Sequence, residues 1–133
     1  MSDEAHGRGA QIRREVLGDE HVDDAFRRTT EETADFQDLI TRYAWGEIWA
    51  RPGLDRRTRS CITLTALVAQ GREHELAIHI RAALRIGLTR EEIKEVLLQS
   101  AIYCGVPAAN SAFAVFQRVL DEDGRRQGSQ PSS

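Results

Sequence analysis

Glu75 and His79 are the residues of this sequence whose types and spacing most directly indicate chemistry. They stand four positions apart in the largely apolar stretch RRTRSCITLTALVAQGREHELAIHIRAALRIG, and residues four apart lie side by side on a helix. An acid and an imidazole buried together either reduce stability or take part in proton transfer, because buried charge is costly. The spacing leaves two interpretations open: a catalytic pair, or a satisfied His–Glu pair in the core or at a subunit interface.

Metal binding and thiol chemistry are both disfavoured. His74 and His79 are five positions apart, whereas a zincin helix carries H-E-x-x-H, so the two rings are expected to point roughly 140° apart. Cys61 and Cys104 form no C-x-x-C motif, and spacing supplies neither with a histidine partner. We interpret both as reduced, buried thiols.

The basic residues are nearly all arginine. Lys94 is the only lysine among 18 basic side chains, and helical spacing places it beside Glu91 and Glu95 on a solvated face. A Schiff-base mechanism needs a desolvated amine, so the sequence argues against that chemistry. Arginine instead suits the planar recognition of carboxylates.

Helical patterns supply the elements that must position these residues. No stretch alternates with period two and the connectors are short, which predicts an all-α fold with five to seven helices. Two core helices are predicted, from Arg56 to Gln70 and from Gly71 to Gly87, and T-x-x-E at Thr89 is a capping box that opens the next one. The other predicted helices cover residues 8–17, a short segment from Asp19, an amphipathic segment from Ala34 to about Gly46, and Pro107 to about Leu120.

Trp45 and Trp49 fall in YAWGEIWARPGLDRRTR, the least periodic part of the predicted ordered region. Because Pro52 and Gly53 follow closely, we predict a stiff aromatic loop, with Asp55 capping the next helix. A structural plug and a pocket wall are both compatible with this loop.

Length and charge set the class of protein. The 133 residues predict one domain over residues 1–120, with a core at about 34–120, an N-terminal helical arm at 8–33 and a disordered tail at 121–133. The net charge of −3 gives no basic face for nucleic acid, and no apolar run is long enough for a membrane span. The polar first residues MSDEAHGRGA lack a secretory signal. We therefore expect a soluble, cytoplasmic protein.

Three segments in order, TRYAWGEIWARPGLDRRTRS, ELAIHIRAAL and AIYCGVPAAN, give the sequence a resemblance to a known family. Over roughly residues 8–120 it resembles the carboxymuconolactone decarboxylase family. The resemblance implies an alkylhydroperoxidase-D-like fold, assembly into homotrimers or hexamers, and an active site near subunit contacts. It also implies a carboxy-lyase activity that converts 4-carboxymuconolactone to the β-ketoadipate enol-lactone in protocatechuate catabolism.

The resemblance also implies roles for particular residues. His79 would donate a proton or hydrogen bond and Glu75 would orient it, while Arg51 or Arg59 would bind a carboxylate of the lactone dicarboxylate substrate. Trp45 and Trp49 would form an apolar wall. No metal or other cofactor is expected, because the substrate itself accepts the electrons that the departing carboxylate leaves behind.

Two other functions are weighed against the decarboxylase. A thiol peroxidase of the same fold would carry C-x-x-C before its histidine, but the residues at 72–75 read R-E-H-E, so the resolving pair for a disulfide cycle is missing. The other alternative is a non-catalytic oligomeric binding module on the same scaffold.

Overall fold

Helices account for all the regular structure in the part of the chain that is described. The computed structural model describes the backbone of residues 2–129 and the side chains of residues 4–125. Its elements are α1 (Ser2–Leu17), α2 (Asp19–Arg27), α3 (Ala34–Leu39), a π-helix (Ile40–Trp49), α4 (Arg56–Gln70), α5 (Glu73–Arg85), α6 (Arg90–Cys104) and α7 (Val106–Ser129). The all-α prediction is confirmed. Within the described residues, none of these helices combines the length and apolar character that a bilayer crossing requires.

The chain divides into two compact units, Met1–Arg59 and Ser60–Ser133. This boundary differs from the predicted core at 34–120 with a separate N-terminal arm. Residues of the predicted arm are buried inside the first unit, where Val16 and Val22 are inaccessible to solvent. Apolar side chains at helical spacing in α1 and α2 thus give the first unit its own core.

Two glycines bring α1 against the π-helix of the first unit. A Cβ atom added at Gly9 would overlap the carbonyl oxygen of Thr41, and one added at Gly46 would overlap the carbonyl oxygen of Ala5. Arg8 strengthens the contact by donating from Nε to the Gly46 carbonyl oxygen at 2.8 Å. The missing side chains therefore allow direct backbone packing.

The π-helix replaces most of the predicted aromatic loop. Residues 40–49 are helical, and the irregular connection is confined to residues 50–55. The predicted cap at Asp55 is present, since its Oδ1 accepts a 2.7 Å hydrogen bond from the Thr58 backbone N–H. Upstream, the apolar positions Phe36, Leu39 and Tyr43 are exposed, so this stripe is not part of the core in the described chain.

The second unit has a separate apolar core formed by its four helices. The predicted junction at Gly71 is a turn with φ of +68°, and Thr89 and Glu92 form the predicted capping box, with hydrogen bonds of 2.9 and 3.0 Å. These local features fix where α5 follows α4 and where α6 begins. The core side chains include Leu64, Leu76, Ile80, Ile93, Leu97, Val115, Phe116 and Val119.

Helix α7 extends past its predicted end near Leu120. The structure continues α7 to Ser129, within the segment 121–133 predicted as a disordered tail, and residues 130–133 lie outside the described part. Arg81 on α5 forms a 2.6 Å ion pair with Glu122 in this extension. Both side chains are about half-exposed, so the pair contributes modestly to holding the turn against α5.

Candidate active site

Glu75 and His79 lie one turn apart on α5, as predicted, but in different environments. His79 is half-buried and its Nδ1 atom is inaccessible to solvent. Glu75 is exposed in the first turn of α5. The expectation of a jointly buried acid–imidazole pair is therefore wrong in the described chain. The physical reason is that α5 buries one face, through Leu76 and Ile80, while an acidic residue near a helix N-terminus is favourable in solvent.

Trp45 and Trp49 form a stacked pair in the first unit. Their ring centroids are 4.9 Å apart with an interplanar angle of 29°. Trp45 is 5% exposed and Trp49 is half-buried. Stacked rings in this range attract each other beyond their burial alone, so the pair stiffens the π-helix, and only Trp49 is partly accessible to solvent.

Arg51 and Arg59, the two predicted carboxylate anchors, lie close together. Arg59 is half-buried and donates from Nη2 to the backbone carbonyl oxygen of Arg51 at 3.1 Å. The Arg51 side chain is exposed. Arg59 thus helps to fix the loop that carries Arg51. These arginines and the tryptophans belong to the first unit, while Glu75 and His79 belong to the second.

Arg13 is a charged residue of interest that the sequence interpretation missed. It lies on α1 and is only 6% exposed, and burial lowers the pKa of its guanidinium from the ordinary value. Its Nη1 donates a long hydrogen bond of 3.4 Å to Thr41 Oγ1. The signal was available in the sequence, because Arg13 adjoins Ile12 and precedes Val16 on the face that helical periodicity marks as apolar.

A separate cavity of about 510 Å³ lies between α4 and α6 in the second unit. Cys61, Thr65, Ser100 and Tyr103 contribute to its walls, and Thr65 Oγ1 lies 3.0 Å from Ser100 Oγ. None of the six predicted site residues lines this cavity. Its volume alone therefore does not make it the reaction site.

The two cysteines and the single lysine bear on the thiol and Schiff-base alternatives. Cys61 and Cys104 are not joined in a disulfide, and both are partly buried. Lys94 forms a 2.6 Å ion pair with Glu91, and that hydrogen bond raises the pKa of the Lys94 amine. A protonated, solvated amine is a poor Schiff-base nucleophile. Among the described residues, no three His, Cys, Asp or Glu side chains cluster to hold a metal ion.

Comparisons with known proteins point to one family. The model of the carboxymuconolactone decarboxylase family matches residues 34–118. A 4-carboxymuconolactone decarboxylase of Acinetobacter baylyi is 43% identical over 93% of both chains. The nitrosuccinic acid decarboxylase npaB of Metarhizium robertsii is 42% identical over 91% of this chain and 87% of its own. A 4-carboxymuconolactone decarboxylase of Pseudomonas putida is 46% identical over 39 residues, which are 29% of this chain and 81% of that one.

Proposed function

The chain belongs to the carboxymuconolactone decarboxylase family, and we propose that it is a carboxy-lyase that converts 4-carboxymuconolactone to the β-ketoadipate enol-lactone. The observation that carries this proposal is the similarity to the Acinetobacter enzyme along nearly the full length of both chains. The reaction belongs to the catabolism of protocatechuate, an aromatic compound. We place the enzyme in the cytoplasm, where that substrate would be produced.

The proposed reaction uses the substrate as its own electron acceptor. When the carboxylate on the γ-carbon leaves as CO₂, its bonding electrons delocalise through the ring double bond to the lactone carbonyl. Protonation of the α-carbon then gives the enol-lactone. The protein must bind a dianion, stabilise negative charge on the lactone oxygen and deliver one proton.

His79 is proposed to deliver that proton or to donate a hydrogen bond to the enolate oxygen. Its half-buried position on α5 supports the role, because partial removal from water strengthens an electrostatic interaction while leaving an edge of the ring accessible. Glu75, one turn earlier, would orient the imidazole or share its proton. Glu75 is exposed, which is compatible with this secondary role in orienting His79.

Arg51 or Arg59 is proposed to bind a substrate carboxylate. The guanidinium fork can make two parallel hydrogen bonds to a carboxylate, and the contact between these residues keeps the two candidates near each other. Trp45 and Trp49 would provide the apolar wall. Their stacking supports this role, since a dry surface favours a transition state with dispersed charge over a compact carboxylate.

Nitrosuccinate decarboxylation is a second candidate, favoured by the extent of similarity to the Metarhizium enzyme. A nitro group beside the departing carboxylate can accept the electron pair just as an unsaturated lactone can. Both substrates are also small dicarboxylates. The same protein groups could therefore serve either reaction without a cofactor.

Self-association is proposed as well, as a homotrimer or hexamer. Large apolar side chains are exposed in both units, including Tyr103 at 81% and Ile102 at 79% on α6. Clustered apolar exposure of this kind is typical of an interaction surface. Sedimentation analysis of the purified protein tests the subunit number.

A spectrophotometric assay with freshly generated 4-carboxymuconolactone tests the main proposal, with released CO₂ measured in parallel. Loss of lactone absorbance with equal CO₂ release is the expected outcome, and alkylation of both thiols should leave most of the activity. A redox enzyme would lose its activity on alkylation. A binding module would neither consume the lactone nor release CO₂, and turnover of nitrosuccinate alone would favour the second candidate.

A further inference from the structure

Arg13 is a buried cation that lacks a carboxylate partner among the described residues. Other basic residues of the first unit form ion pairs: Arg14 contacts Asp19 and Asp23 at 3.2 and 2.8 Å, and Arg42 contacts Asp38 at 2.7 Å. These pairs are largely solvent-exposed, whereas Arg13 is 94% buried. The first unit therefore leaves unpaired the guanidinium for which pairing matters most.

The hydrogen bonds of Arg13 leave most of its donors available. A guanidinium has five N–H donors, and the described contact uses one, from Nη1 to Thr41 Oγ1 at 3.4 Å. The Nε atom is buried without a hydrogen-bond partner. Thr41 donates its own hydroxyl proton to the Gln37 carbonyl oxygen at 2.8 Å, so it presents only lone pairs to Arg13. A neutral acceptor at that distance gives a buried charge little compensation.

Burial of an unpaired charge is unfavourable by several kcal/mol, on the order seen when one partner of a buried ion pair is deleted. Such a cost indicates that an anion completes the site in some functional state. The anion must accept hydrogen bonds from the planar guanidinium of Arg13. It must also be small, because only 6% of Arg13 is exposed to solvent. A carboxylate matches the fork in geometry and charge.

We propose that Arg13, together with the adjoining turn of the π-helix at Thr41, forms a binding site for one carboxylate of a small dicarboxylate. The identification of that dicarboxylate with the enzyme's substrate rests on the proposed function; the anion site itself does not. Because Arg13 is only 6% exposed, water screens its attraction for an anion less than that of the exposed arginines among the described residues. The exposed Arg51 and the carbonyl-bound Arg59 are more weakly suited to a strong electrostatic grip.

The proposed site also gives the π-helix a function, which is to position Thr41 beside Arg13. Wider helical turns are uncommon and occur mainly where a local geometry serves function. Thr41 is the second residue of this segment, and its backbone oxygen is the atom that approaches Gly9. The backbone packing of α1 thus holds Arg13 and Thr41 in fixed positions, which reduces the ordering needed when the ligand binds.

Thermal unfolding of the full chain with disodium succinate as the probe tests the site, with sodium chloride at equal ionic strength as the blank. Wild-type protein is expected to gain on the order of 5 °C in Tm at about ten times the Kd. The variant Arg13→Met should lose this increase, while Arg14→Met, which removes the same charge from the neighbouring, half-buried position, should retain it. Without succinate, Arg13→Met should be as stable as the wild type or more stable.

A side-chain NMR titration keeps the test decisive if Arg13→Met does not fold. Addition of succinate should shift the Arg13 Nε–H resonance of the wild-type protein, assigned by its absence in Arg13→Lys. An unchanged resonance, or an Arg13→Met variant with the full increase in Tm, would overturn the proposal. So would a wild-type Tm that depends on protein concentration but not on succinate, which would assign the counter-charge to a second copy of the chain.

Turnover of the lactone separates this inference from the proposed function. Arg13→Met should raise KM roughly tenfold or more, the usual effect of losing a charge-assisted hydrogen bond, with a smaller change in kcat. A succinate effect in a protein that decarboxylates neither substrate would retain the anion site and reject the proposed function. If Arg13→Met decarboxylates the lactone with a normal KM, the role of Arg13 in substrate binding would be rejected, whereas the proposed function would stand.

Discussion

Arg59 donates a hydrogen bond from Nη2 to the backbone carbonyl oxygen of Arg51 over 3.1 Å. This contact gives the two arginines different tasks. Arg59 supports the conformation of the loop at residues 50–55, whereas the exposed side chain of Arg51 is available to a ligand. Substitutions at the two positions should therefore differ in their effects on folding and on substrate binding.

The variant Arg51→Lys is expected to raise KM about tenfold without lowering Tm, because a point charge cannot reproduce the two-point grip of a guanidinium. Steady-state kinetics and thermal unfolding measure the two effects. Arg90→Lys, an exposed change on α6, is the control. An unchanged KM in Arg51→Lys would move the anchoring role to Arg59 or to Arg13.

Replacement of His79 by alanine is expected to lower kcat by at least ~100-fold while preserving the oligomer, since a positioned proton donor usually contributes that much. The matched control is His74→Ala, which removes an exposed imidazole from the same helix and should leave kcat nearly unchanged. Sedimentation analysis checks assembly. Near-normal turnover in His79→Ala would remove this residue from the mechanism.

Gly9→Ala is expected to destabilise the protein by about 1–3 kcal/mol or more, because the new Cβ would overlap the carbonyl oxygen of Thr41 and the backbone cannot easily move away. Gly7→Ala is the control on the same helix, where a Cβ meets nothing within 4 Å. That change should stabilise α1 by roughly 0.5–1 kcal/mol. Chemical denaturation measures both, and equal effects would contradict the close packing.

Acidification should loosen the end of α7 before the rest of the second unit. The hydrogen bond from Arg81 lowers the pKa of Glu122, so the stabilisation is fully present above the ordinary pKa of a glutamate. It is lost as the pH falls through the lowered value. Amide hydrogen exchange of residues 118–125 measures the effect. In Glu122→Gln this exchange should already be fast at neutral pH, and a pH response identical to the wild type would exclude the pair as its cause.

Local rules predicted the helix boundaries best. The capping box at Thr89 and Glu92 and the cap at Asp55 need only a few neighbouring residues, so the sequence contains all the information required. The extension of α7 past Leu120 was not predicted, and the Arg81–Glu122 pair found there joins positions 41 residues apart. Composition around residue 121 could not reveal that partner.

The environment of the candidate site was harder to predict. A helical wheel placed Glu75 and His79 together, but it could not show that Glu75 falls in an exposed first turn. The amphipathic helix was predicted to end near Gly46, and the last turn of the π-helix, to Trp49, was interpreted as a loop because wider turns break the 3.6-residue period. Arg13 was overlooked because an arginine on an apolar face carries no familiar motif, although its burial is what makes it chemically interesting.

The close backbone contacts of Gly9 with Thr41 and of Gly46 with Ala5 limit where α1 can be altered. Ala5 and Gly9 both belong to α1, so a deletion that shortened this helix would remove part of the surface on which the π-helix packs. A label introduced at Gly9 would be forced against folded backbone. Gly7, where an added Cβ meets nothing within 4 Å, is the better position on α1 for a label.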